Sequence, residues 1–139
     1  MKVIFHDNTT LILRFDRDEE ILESLSQFCA EENIHAAYFS TIGAVKEVIL
    51  AYYNLETQTY QDRVITEDLE ITSVTGNVGV LKGKIIIHAH GTFGKSNFEI
   101  IGGHIKKMLI SATGEVVLKK LKGNLERAFD KETGLNLMK

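Results

Sequence analysis

The hydrophobic pattern changes its period early in the chain and then settles. Thr10 to Phe15 (TLILRF) alternates apolar and other residues closely enough to predict a first strand. The next stretch, DRDEEILESLSQFCAEEN, repeats its apolar residues at three- and four-residue steps: Ile21, Leu22, Leu25, Phe28 and Cys29. That spacing gathers them on one side of a helix. Asp16 or Asp18 is placed to cap its start, and acidic residues in a first turn suit the positive end of the dipole. Asn33 is expected to end it.

Strand patterns fill most of the remaining chain. Ile34 to Val45 (IHAAYFSTIGAV) leads into Glu47 to Asn54 (EVILAYYN), and an ETQT turn opens Tyr60 to Ile65 (YQDRVI). Leu69 to Leu81 (LEITSVTGNVGVL) is a long strand, and the Lys82-Gly83-Lys84 turn opens another from Lys84 to Phe93. The chain then returns as Phe98 to Leu109, adds a last strand at Glu115 to Leu121, and ends in a polar tail with short helical potential. Proline is absent, so glycine and Asn/Asp clusters supply all the punctuation. One helix against about seven or eight strands predicts an α+β fold with a mainly antiparallel sheet or half-barrel. The 139 residues suit a single domain, with a core at roughly 9–122 and the polar tail over 123–139.

Three of the five histidines fall in one predicted hairpin, IIIHAHGTFGKSNFEIIGGHI, Ile85 to Ile105. His88 and His90 share a face of their strand, about 6.6 Å apart along it. A three-residue loop at Lys95-Ser96-Asn97 places His104 opposite His88 and Gly102 opposite His90. Ile87 then faces Ile105, Ala89 faces Gly103 and Gly91 faces Ile101, a consistent apolar surface on the other side. A one-residue slip would put His104 among the isoleucines. The apolar pattern, read without reference to any metal, therefore gathers three imidazoles on one face. Three histidines with an open fourth position are a familiar zinc arrangement, and Gly102 and Gly103 leave room beside it. The expected cofactor is a divalent transition metal, zinc first, on His88, His90 and His104. Hydrogen-bonded core or interface histidines are the competing reading. A cupin site fits poorly: Gly83 stands one residue too near His88, Glu99 too far from His90, and the second motif needs a proline.

Other candidates are weaker. Gly76-Asn77-Val78-Gly79 lacks the lysine and helix of a phosphate loop. Ser40-Thr41 has no identifiable partner, and Cys29 reads as a buried spectator thiol. His6 and His35 read as structural or solvated. Net charge is −3 and the pI about 5.9, with basic residues mostly scattered, which disfavours a dedicated nucleic-acid binder. No apolar run is long enough to span a membrane, no signal peptide is visible, and the cytoplasm is the expected location.

Several segments in this order resemble one known family. LRFDRDEEILESLSQFCAEENIHAAYFSTIGAV, EVILAYYN, LEITSVTGNV, the histidine hairpin with its GGHI, and RAFDKETGL together are similar to the plants-and-prokaryotes conserved domain. The resemblance implies a stand-alone prokaryotic member that assembles as a homotrimer, with His88, His90 and His104 forming the family's recurrent polar cluster. In plants the domain follows an AT-hook that binds DNA; no such element or basic arm occurs here. A non-enzymatic assembly or regulatory role, with nucleic-acid association as the family's label, is therefore the first expectation. The alternative is a metal-dependent enzyme acting on a small molecule, with Glu70 or Thr72 on the neighbouring long strand supplying supporting or acid–base groups.

Overall fold

In the computed structural model, which describes residues 1–139, β2 (Thr10–Asp16) buries Leu11, Leu13 and Phe15 and turns Ile12 and Arg14 outward. Its alternation is that of a strand with one face on a core. An unforeseen strand, β1 (Lys2–His6), pairs along its outer edge. Helix α1 (Ile21–Glu31) follows and buries Ile21, Leu22, Leu25 and Cys29 against the sheet. Its cap is Glu20, not Asp16 or Asp18: the Glu20 carboxylate accepts from the N–H groups of Leu22 and Glu23, and from Met108 on a distant strand. Asp16 is instead paired with Lys2 and Asp18 with Lys46, and Asp18 occupies a positive-φ turn before the helix. Asn33, at φ 55°, takes the left-handed position that ends helices.

The remaining strands are β3 (Ala37–Asn54), β4 (Thr59–Ile65), β5 (Leu69–Leu81), β6 (Lys84–Gly94) and β7 (Ile100–Lys120). With β1 and β2 they form one seven-stranded sheet in the order β1-β2-β7-β6-β5-β3-β4, with β7 also paired to β3. Every strand pair in it is antiparallel, and the fold is α+β.

Two stretches expected as separate strands on each side, Ile34–Val45 with Glu47–Asn54 and Phe98–Leu109 with Glu115–Leu121, are continuous as β3 and β7. Bulges explain why. The β3–β7 register shifts between Gly43 and Val45, between Val45 and Glu47, and again between Ile49 and Leu50. Each shift adds bend without ending the pairing. The first half of β3 thus pairs with β5 and the end of β7, and its second half with β4 and the start of β7. At the corner Gly43 faces Gly114, and a Cβ on Gly43 would lie 2.1 Å from the Thr113 carbonyl oxygen. Only glycine fits that approach. Phe15, Phe39 and Phe93 fill the interior, fully buried with α1 across one face.

The tail forms no helix. β8 (Arg127–Phe129) and β9 (Asn136–Met138) make a small second sheet. A turn in which Asp130 accepts from Thr133 joins them. The hairpin is tied to the main sheet by Tyr53 donating to the Thr133 carbonyl at 2.6 Å and by Val80 donating to Leu125 at 2.8 Å.

Candidate metal centre

Strands β6 and β7 are joined by five residues, Lys95 to Glu99, because Gly94 pairs with Ile100. Phe98 stands at φ 67° and donates to Lys95, which in turn donates to Glu99. The longer loop moves the register by two residues from the expected one: His90, not His88, lies opposite His104, Gly91 opposite Gly103 and Thr92 opposite Gly102. A two-residue shift preserves the face of every side chain, so the histidines still converge. The expected Ile87–Ile105 pair does not form, because no β6–β7 pairing continues beyond His90 and His104. His88 is placed from the other side, opposite Asn77 of β5.

The ring centroids of His88, His90 and His104 are each 5.1 Å apart. One nitrogen from each falls in a set spanning no more than 4.8 Å. His104 Nδ1 and His90 Nε2 are 3.3 Å apart, a hydrogen bond when one of the two nitrogens carries its proton. Two nitrogens bound to one tetrahedral zinc at 2.0–2.1 Å stand about 3.4 Å apart, so this pair is spaced for a shared ion. Burial, then the positive charge of Arg127 and the neighbouring rings, lowers the His88 pKa to about 4. Burial also lowers that of His104, with His90 and Lys106 adding to the effect and Asp62 opposing it. Neutral imidazoles keep a lone pair for a cation, and an all-nitrogen donor set suits zinc and its first-row neighbours.

Gly102 and Gly103 both lie in the paired segment beside the rings. A Cβ on Gly102 would stand 2.5 Å from the Gly91 carbonyl oxygen, so the close approach of the two strands there requires its absence. Glu70 and Thr72 lie elsewhere: Glu70 faces Gly94 and Thr72 bonds Thr92 at 2.9 Å, toward the loop end of the hairpin. Thr75 and Asn77 take the places opposite His90 and His88.

Two neighbours escaped the sequence reading. Arg127, from β8, reaches Asn77 Oδ1 at 2.8 Å and His88 Nδ1 at 3.2 Å. The Tyr60 ring of β4 stacks 5.2 Å from His104, and Lys106 Nζ, itself bound to Asp62, stands 4.8 Å from the centre of the Tyr60 ring. Tyr60 lies in a predicted strand and in phase with Asp62, a weak signal; Arg127 lay in a polar tail and gave none. Cys29 is buried and its thiol is pushed up to about 12, which suits a spectator.

A family model for the Plants and Prokaryotes Conserved (PCC) domain matches residues 5–122. A metal-containing protein from Archaeoglobus fulgidus is 36% identical, with 99% of each chain covered and a TM-score of 0.88. A plant- and prokaryote-conserved protein from Pyrococcus horikoshii is 30% identical, with 94% of this chain and 90% of that one covered and a TM-score of 0.88. A protein from Bacteroides thetaiotaomicron, described as a candidate DNA-binding protein, is 27% identical over 97% of this chain and 94% of its own, with a TM-score of 0.93. No curated protein matches the sequence.

Proposed function

The chain belongs to the Plants and Prokaryotes Conserved (PCC) domain family, and from that premise we propose that it is a metal-holding assembly or regulatory module. His88, His90 and His104 bind one divalent transition-metal ion, zinc first, and the subunits associate as a homotrimer. The observation that carries the reading is the donor set itself: three imidazole nitrogens within 4.8 Å of one another, with one pair at the spacing of a shared ion. The metal-containing relative from Archaeoglobus fulgidus is consistent with it. When bound, the ion would supply charge and a fixed point of attachment for an oxygen or nitrogen ligand.

A non-catalytic role is favoured by the company the histidines keep. A hydrolytic metal site commonly sets a base close to the reacting water. The donor group contains no carboxylate, and Asp62, which bears on His104, has both oxygens on Lys106 at 2.6 and 2.7 Å. Association is supported by an apolar row on the outer face, where exposed Ile12 and Val117 pair across β2 and β7 and Tyr38 stands nearby on β3.

Metal analysis of protein purified without a histidine tag tests the site, with the His88→Ala, His104→Ala double variant beside it. The expected result is close to one metal ion per chain in the wild type and almost none in the variant. Wild-type protein that is metal-free and resists loading with zinc would refute the reading.

A further inference from the structure

Arginine can only donate, so its contact with His88 Nδ1 at 3.2 Å uses the lone pair of that ring. A neutral imidazole has one such lone pair. If an ion binds Nδ1, the lone pair is spent. If it binds Nε2, the ring proton must sit on Nδ1, where it faces the guanidinium N–H. In either case the hydrogen that Arg127 directs at His88 loses its acceptor when His88 becomes a ligand. The same terminal nitrogen remains anchored on Asn77 Oδ1 at 2.8 Å, and its partner nitrogen on the Asn136 carbonyl at 2.9 Å. The freed donor therefore stays beside the His88 ring.

The charge balance points the same way. Three neutral imidazoles leave a divalent ion uncompensated, Arg127 adds another positive charge, and Asp62 is already held by Lys106. Next to His90 lies a recess of about 330 Å³ lined by Ser73, Thr75, His90, Gly91, Thr92 and Gly103, with no apolar side chain. Its hydroxyls suit a small polar guest.

We propose that the centre takes a small anionic oxygen ligand, a carboxylate or an inorganic oxyanion, held jointly by the metal ion and the Arg127 guanidinium. This rests on the metal reading above and adds the chemistry of what the site recognises. The module would thus bind a small anion at its metal centre.

Cobalt(II)-loaded protein tests it, with the metal content measured first and the visible spectrum followed during separate titrations with acetate and with phosphate. Wild type should show a saturable spectral change with at least one of them, and which one responds distinguishes a carboxylate from an inorganic oxyanion. Arg127→Met should keep its cobalt and its circular dichroism yet bind the anion at least about tenfold more weakly, the scale of a lost charge-assisted hydrogen bond. Arg127→Lys should recover part of the loss. Without added anion, Arg127→Met should hold cobalt against a chelator at least as firmly as wild type, because nothing then competes for His88. Weaker retention would make Arg127 a mere structural support and overturn the proposal. So would a loaded wild type indifferent to both anions, or a methionine variant that binds them equally well. Protein that takes up no cobalt at all would sink the metal reading itself, and this inference with it.

Discussion

At the scale of single residues, the site depends as much on a missing side chain as on the three present. Gly102 lets β7 approach β6 closely enough for His104 to meet His90, and a methyl group there would collide with the Gly91 carbonyl. Gly102→Ala should lower stability by about 2 kcal/mol, the usual cost of forced overpacking, and should weaken metal retention by separating the strands. Urea unfolding with and without a chelator measures both effects. An unchanged midpoint would mean that the strands can part without strain. The convergence of the histidines was legible because parity depends only on odd and even spacing. Which ring faces which was not, since the loop is five residues long and not three. Arg127 was invisible because its role comes from a tail hairpin folding back onto the sheet, a contact no local pattern records.

Among the elements, the helix and the individual strands were readable, and their limits were not. α1 and β5 follow their apolar spacing, and β5 has the expected bounds of Leu69 and Leu81. β3 and β7 were each divided in two, because a bulge looks in sequence like a break: polar or small residues interrupt the alternation while the backbone pairing continues. Glu20 was passed over as a cap in favour of aspartates, which bond more readily to nearby backbone. It serves three N–H groups at once, two on its own helix and one on β7, so it joins helix to sheet as well as capping the first turn. Glu20→Ala should therefore cost about 2 kcal/mol, more than an ordinary cap, because the Met108 N–H loses its partner too. Thermal unfolding checks this, and a loss below half that size would show that water or a neighbour replaces the carboxylate.

For the whole molecule, the distribution of charge and apolar surface decides what it meets. With a net charge of −3 and basic residues mostly scattered, binding of this chain to an A·T-rich duplex should be weak at low salt and vanish at physiological salt, with no preference for sequence. Fluorescence anisotropy at two salt concentrations checks that; a tight, sequence-selective complex would contradict it. No helix is long and apolar enough to cross a membrane. The outer row of Ile12, Tyr38 and Val117 is expected to be covered by other subunits, so light scattering should give about three times the chain mass of 15.6 kDa. Val117→Asp should shift it toward the monomer, since a charge would be trapped in an apolar contact. A wild type that runs as a monomer would remove the assembly reading. Finally, β7 is the partner of β2, β3 and β6 alike, and it is made last among the strands of the large sheet. During synthesis, β2 waits with no inner neighbour and α1 with half its floor missing until Lys120 clears the ribosome. β3 to β6 can pair among themselves before then, but the first strands and the helix are closed into the sheet only when β7 arrives, so the last step of assembly joins the beginning of the chain to its end.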